Sequence, residues 1–188
     1  PDWQVYCASV TEQWAVMAIN GPRARDLLSQ LTDADLDTEN FPFMSMIEAE
    51  VAGVKARIYR ISFTGELAYE INVPARHGLH VWDAFMSAGK DFELTPYGTE
   101  TMHVLRAEKG FVIVGQDTDG SVTPHDLGMS WIVSKKKSDF IGKRSLSRSD
   151  TARAGRKQLV GLLTEDQTFV LPEGAHLVAE VKAAPPMS

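Results

Sequence analysis

Met46-Ile47-Glu48-Ala49-Glu50-Val51-Ala52-Gly53-Val54-Lys55-Ala56-Arg57-Ile58-Tyr59 is the stretch on which the fold turns. It holds two extended runs joined through Ala52-Gly53. In the second run Val54, Ala56 and Ile58 alternate with Arg57, Tyr59 and Ile61, the period of two that marks a strand with one buried face. Two such runs across a short turn predict a β-hairpin, with strands over 46–51 and 54–63.

Upstream, Trp14-Ala15-Val16-Met17-Ala18-Ile19 is a short apolar run closed by Asn20-Gly21-Pro22. Pro22 suits the first turn of a helix, where its missing N–H is not needed. In that helix Ala24, Leu27, Leu28 and Leu31 share one face, and Arg23, Arg25 and Asp26 take the other. The acidic loop 32–42 is expected to be exposed. Downstream, Ala68 to Val73 reads as a third strand, and Leu79, Trp82, Ala84, Phe85 and Met86 supply the apolar part of a helix ending near Gly89-Lys90. Thr95-Pro96 opens a further helix, which carries Met102, Leu105 and Arg106 and has Gly110 where a terminating glycine belongs.

These elements predict an α+β fold, and their order resembles the ferredoxin-like split arrangement with a β-α-β-β-α core. Phe111–Val114 reads as a short strand, 139–148 as a brief helix and 151–157 as a polar, basic link. Residues 158–164 then start a new β segment, and 177–181 form a strand with no obvious partner. The expected division is 1–150 as one domain and 151–188 as linker plus the first strands of a small β domain. The chain lacks an initiating Met and stops at Ala183-Ala184-Pro185-Pro186-Met187-Ser188, and is read as a piece of a larger polypeptide.

With 188 residues, 44% hydrophobic and 23% charged, the chain can bury a sizeable core. The net charge of -6 argues against nucleic acid as a partner, since phosphate backbones call for a basic face. Cys7 is the only cysteine, which excludes an internal disulfide and a thiolate zinc cluster and fits a reducing, cytoplasmic setting. The apolar runs fall far short of the roughly 20 residues that span a bilayer, so no membrane partner is expected.

Several common sites are absent from the pattern. Gly142-Lys143-Arg144-Ser145 is not a phosphate loop, because position 137 is Lys where the first glycine is required. Asp117-Thr118-Asp119-Gly120 begins like a calcium loop, but its glycine comes two places early and the twelfth place is not Glu. His77 and His80 share a helix face without a third ligand and are read as solvated, so no metal is expected. No Gly-x-Ser-x-Gly, His-Glu-x-x-His or Gly-x-Gly-x-x-Gly occurs.

Three stretches resemble the folate-binding family that includes the glycine-cleavage aminomethyltransferase and the folate-using ends of sarcosine- and dimethylglycine-oxidising enzymes. They are Ala18-Ile19-Asn20-Gly21-Pro22, Ser62-Phe63-Thr64-Gly65-Glu66-Leu67-Ala68-Tyr69-Glu70, and Leu105-Arg106-Ala107-Glu108-Lys109-Gly110 followed by Thr123-Pro124 and Met129-Ser130-Trp131. Pro96-Tyr97-Gly98-Thr99-Glu100 and Val114-Gly115-Gln116-Asp117-Thr118-Asp119-Gly120 are most similar to the sarcosine-oxidising branch. The resemblance implies that 1–150 is the central part of the aminomethyltransferase-type folate-binding domain and that 151–188 leads into a carboxyl-terminal β-barrel.

What it implies for the site can be stated residue by residue. Glu70 carries over to the pterin-binding glutamate: a pterin presents a ring N–H beside an exocyclic amino group, and a carboxylate can accept both. Phe63 and Trp131 carry over to positions where aromatic rings line the folate pocket, with core packing as the alternative for both. Tyr69 belongs to the same segment. Met102 stands where the glycine-cleavage enzyme has a folate-contacting arginine, a loss that Glu100 or His103 could compensate. Lys135-Lys136-Lys137 could attract the anionic tail of folate or be solvated surface. The family's catalytic aspartate would lie before residue 1 and a further arginine beyond residue 188, so no catalytic residue is expected within the chain. The implied activity is capture of the one-carbon unit from sarcosine oxidation as 5,10-methylenetetrahydrofolate, with FAD, FMN and NAD bound elsewhere in a heterotetramer of several subunits. The alternatives are an aminomethyltransferase of a glycine-cleavage system and a non-catalytic scaffold.

Overall fold

The hairpin forms where the alternation places it. In the computed structural model, which describes residues 3–172, 174–176 and 178, strand β2 (Met46–Val51) pairs antiparallel with β3 (Val54–Tyr59), Val51 opposite Val54. Ala52 (φ 50°) and Gly53 (φ 76°) both take left-handed backbone, as a two-residue hairpin turn requires. Ala52 is held there from both sides: its N–H donates to Leu31 O at 2.7 Å, and its carbonyl lies 2.9 Å from His80 Nε2.

Two further strands complete the sheet. β1 (Trp14–Asn20) pairs with β4 (Ala68–Pro74), and β4 pairs with β3, so the order is β1-β4-β3-β2 with every neighbouring pair antiparallel. The short helix α1 (Ala24–Leu28) follows β1, and α2 (Gly78–Ala88) follows β4. The chain is thus α+β. The split β-α-β arrangement is not the order seen: β1 and β2, the strands on either side of α1, run antiparallel with two strands between them. The strand that follows the hairpin, β4, takes the place beside β1.

One sheet face makes the core. Ile19, Val54, Ala56, Ile58, Tyr69, Ile71 and Val73 are buried there with Leu27 and Leu28 of α1 and Val81 and Phe85 of α2. Leu36 and Phe41 are buried as well, so the acidic 32–42 loop is anchored by its two large apolar side chains, a correction to its expected exposure. Leu79 and Trp82, counted from sequence among the apolar part of α2, point outward at 73% and 44% exposure.

Other expected boundaries shift for local reasons. β3 stops at Tyr59, because Arg60 exchanges hydrogen bonds with Met44 and Ser45 and the chain then leaves the sheet. The helix expected from Thr95-Pro96 begins only at Thr99, after Gly98 in extended backbone; α3 spans Thr99–Glu108. It ends as the sequence suggested: Gly110 (φ 74°) donates to Ala107 O at 3.0 Å and Phe111 donates to Arg106 O at 2.9 Å, the paired bonds of a Schellman motif. Phe111–Val114 is not a strand. The Ile113 N–H is taken by the Asp117 carboxylate at 2.7 Å, and its carbonyl accepts from Gln116 and Asp117, which folds the segment into a turn.

Residues 1–118 and 119–188 form two compact units, a division earlier than the one expected at 150. Among the described residues the second unit has no strand and no α-helix. The helix expected over 139–148 is a single 3-10 stretch, Lys143–Ser147, entered from Gly142 at φ 91°. The β segment expected over 158–164 is absent, because the Leu159 N–H donates to Asp126 O at 2.8 Å instead of to a strand. The strand expected over 177–181 lies outside the described residues, Val178 excepted. Among the described residues no helix is long and apolar enough to cross a membrane.

Candidate functional site

Three segments that sequence alone singled out meet at the end of β1. Gly21 (φ 126°) turns the chain there, and its N–H donates to Leu67 O at 2.9 Å. The side chain of Asn20 works in both directions: its oxygen accepts from the Thr64 hydroxyl at 3.2 Å, and its amide donates to the Tyr97 hydroxyl. Thr64 is buried, so its hydroxyl relies on this partner. Burial raises the Tyr97 phenol above its ordinary pKa against the opposing pull of the Asn20 hydrogen bond.

Gly65 continues the loop at φ 80°, donating its N–H to Ser62 Oγ at 2.9 Å. A Cβ at this position would lie 2.1 Å from Lys109 Cγ, so the end of α3 packs directly on the glycine. Lys109 Nζ is then 3.6 Å from Glu66 Oε1. The Thr64-Gly65-Glu66 turn is therefore clamped between β1 and α3.

Beside this junction lies a cleft of about 730 Å³. Its walls are the outer edge of β1 (Val16, Ala18, Asn20), the inner side of α2 (Phe85), Tyr97 and Met102. The cleft is mostly apolar, with Arg23 at its rim, where the guanidinium sits 4.4 Å from the centre of the Phe92 ring. Such a concave, apolar space with a few convergent polar groups is the usual form of a small-molecule site.

The expected site residues divide by position. Tyr69 and Glu70 are consecutive in β4 and so point to opposite faces. Tyr69 is fully buried in the core, its ring 5.9 Å from Phe41 and its hydroxyl accepting from Arg25 Nε at 3.2 Å. It is a packing residue, a correction to its expected place among the ligand contacts. Glu70 is half-buried on the open face, opposite Ala18 of β1 and Tyr59 of β3. No ion pair among the described residues involves it.

Phe63 is half-buried, its ring 6.4 Å from that of Phe111. Glu100 is exposed in the first turn of α3, and His103, half-buried on the same helix, helps to lower the Asp117 pKa. The larger influence on Asp117 is its hydrogen bond from the Ile113 N–H; Arg106 also donates to it. Trp131 is 79% exposed in the second unit, in the short turn Ser130–Ile132. Among the described residues no cluster of His, Cys, Asp or Glu could hold a metal ion.

Two groups escaped the sequence reading. Asn20 and Tyr97 stand in separate motifs, and nothing in their spacing of 77 positions signals a contact. In the second unit, Asp126 accepts from the Thr123 N–H and hydroxyl and from Arg156 Nε and Nη2. Arg156 drives the Asp126 pKa far below the usual carboxylate range, helped by the Thr123 N–H. The Thr-x-x-Asp spacing of 123 and 126 was the available clue.

The sequence that carries the β1 turn, the Thr-Gly-Glu loop and α3 is matched by a known family. The profile of the GCVT N-terminal domain matches residues 1–137, and the chain belongs to that family. The sarcosine oxidase subunit alpha of Corynebacterium sp. (strain P-1) is 58% identical over 182 residues, 96% of this chain and 19% of that protein. The sarcosine oxidase subunit alpha of Rhizobium meliloti (strain 1021) is 43% identical over 186 residues, 98% of this chain and again 19% of that protein. An aminomethyltransferase of Bacillus subtilis (strain 168) is 39% identical over 153 residues, 81% of this chain and 42% of that protein. The chain thus spans 19% of the length of the sarcosine oxidase subunits it resembles over nearly its whole extent.

Proposed function

We propose that this chain is the tetrahydrofolate-binding part of a sarcosine oxidase alpha subunit, which captures the one-carbon unit of sarcosine oxidation as 5,10-methylenetetrahydrofolate. The observation that carries the reading is the Glu70 carboxylate, half-buried on the open face of the sheet with no ionic partner among the described residues. Such a group suits a flat ligand edge with two parallel N–H donors, where a bidentate, charge-assisted contact fixes orientation. Likeness to sarcosine oxidase subunits across 96% and 98% of the chain supports the branch.

In this reading the chain binds and orients. Glu70 grips the pterin edge, and Phe63 and Trp131 offer aromatic walls. With Met102 in place of a cation at the cleft, Glu100 or His103 meets the polar groups left over. Holding a cofactor at a fixed angle to an arriving reactant removes much of the entropic barrier to bond formation. The redox chemistry of sarcosine belongs to the flavins; FAD, FMN and NAD are bound elsewhere in the parent. Proton transfer falls to groups outside this chain. The partners are tetrahydrofolate and the other subunits of a heterotetramer; the setting is cytoplasmic, in keeping with the lone Cys7.

The test is product analysis on the intact parent enzyme. With sarcosine and tetrahydrofolate, free formaldehyde falls as methylenetetrahydrofolate rises; identical product ratios with and without tetrahydrofolate contradict the proposal. Exchange of label with an aminomethyl-lipoyl carrier would instead mark an aminomethyltransferase.

A further inference from the structure

The pairing register places four side chains in one row across the open face of the sheet. Ala18 of β1 lies opposite Glu70 of β4, Glu70 lies opposite Tyr59 of β3, and Tyr59 lies opposite Met46 of β2. Directly paired residues project on the same side with Cβ atoms roughly 5 Å apart. The row of methyl, carboxylate, phenol and thioether is thus three strand spacings long, roughly 14 Å. All four belong to the face that the core does not use: Ala18 and Met46 are exposed, and Glu70 and Tyr59 are half-buried. Ala18 also lines the cleft along β1, so the row opens at that end into the cavity.

Resting on the folate reading above, we propose that this row is a recognition shelf in which Tyr59 is the ring on which the flat heterocycle lies and Ala18 is the specificity-determining residue that leaves the way from Glu70 into the cleft open. The chemistry is complementary at each place. A flat heterocycle that gives two parallel N–H donors to Glu70 must lie beside the carboxylate, where one neighbour is an aromatic ring and the other is the smallest side chain of the row. Offset stacking on Tyr59 adds attraction beyond simple area burial. The part of the ligand beyond the ring system then crosses Ala18 towards Asn20, Tyr97 and Met102 at the cleft. A side chain much larger than methyl at position 18 would fill that passage. Tyr59 and Ala18 act by shape and stacking and have no part in the chemical step.

The experiment is titration of the intact parent enzyme with folinic acid, followed by tryptophan fluorescence and calorimetry, with urea unfolding as the control for folding. Ala18→Leu is expected to lose tenfold or more in affinity with an unchanged unfolding midpoint, because the side chain it replaces is exposed. Tyr59→Ala should weaken binding about tenfold, and unaltered affinity in that variant removes Tyr59 from the shelf. Ala18→Leu binding folinic acid with unaltered affinity, in a parent whose binding depends on Glu70, overturns the shelf and leaves the folate reading intact. Failure of the unmodified parent to bind folinic acid overturns the folate reading and the shelf together.

Discussion

The Thr64 hydroxyl donates to the Asn20 side-chain oxygen at 3.2 Å, and the amide of the same asparagine donates to Tyr97. One side chain therefore ties the end of β1 to the Thr-Gly-Glu turn and to the segment entering α3. Asn20→Ala leaves the buried Thr64 hydroxyl without its partner, a loss of about 1–3 kcal/mol. Urea denaturation of the parent should show that loss. A double change with Thr64→Val should recover part of it, since no polar group is then stranded; equal midpoints for Asn20→Ala and the unmodified protein would remove Asn20 from the network.

Gly65 is constrained twice. Its φ of 80° is unfavourable for any residue with a Cβ, at about 1–2 kcal/mol, and that Cβ would meet the Lys109 side chain. Gly65→Ala should therefore destabilise by more than the backbone figure. Adding Lys109→Ala should return the steric share but not the conformational one. Full recovery in the double variant would show that backbone strain plays no part.

Ile58 is fully buried in β3 and faces Ile71 across the strand pair. Ile58→Ala should cost about 2–5 kcal/mol, the range for truncating a well-packed aliphatic side chain. Arg57→Ala, one residue earlier on the open face, loses an exposed ion pair with Glu48 and a cation-π contact with Trp14, and should cost under about 1 kcal/mol. Comparable losses for the two would place the core on the wrong face of the sheet.

Asp126 gives the second unit a pH signature. Its carboxylate has a folded-state pKa depressed below the ordinary 3.8 by Arg156 and Thr123, so it binds its proton more readily when unfolded. The stabilisation is fully present above that ordinary value and is lost as pH falls below it. Unfolding midpoints measured from pH 6 downwards should hold until about pH 4 and then fall, and Asp126→Asn should flatten that acid limb. An acid limb of the same slope in Asp126→Asn would deny Asp126 its role.

Much of the fold was written in local pattern. Alternation in the second run, with the Ala52-Gly53 turn before it, fixed the hairpin and its buried face, and Gly110 fixed the end of α3, because both depend only on residues close in sequence. Strand order was not legible, since the neighbour of β1 is chosen by packing against α1 and α2 and not by the spacing of apolar residues. The end strands failed for a related reason. Phe111–Val114 and 158–164 have strand-like composition, but the Asp117 and Asp126 networks capture their backbone donors first. At the site, motif likeness named Glu70 and Tyr69 together; it could not separate Glu70, on the open face, from Tyr69, whose side chain belongs to the core by strict alternation. The Asn20, Thr64 and Tyr97 contact was invisible because its members lie far apart in the chain.

The most direct test of the central claim is the affinity of the intact parent enzyme for folinic acid before and after Glu70→Ala, measured by calorimetry at matched folding. Saturable binding that weakens tenfold or more in the variant, as expected when a charge-assisted bidentate contact is removed, is the predicted result. Absence of saturable binding, or equal affinity in the two proteins, would contradict the assignment of this sheet face to tetrahydrofolate.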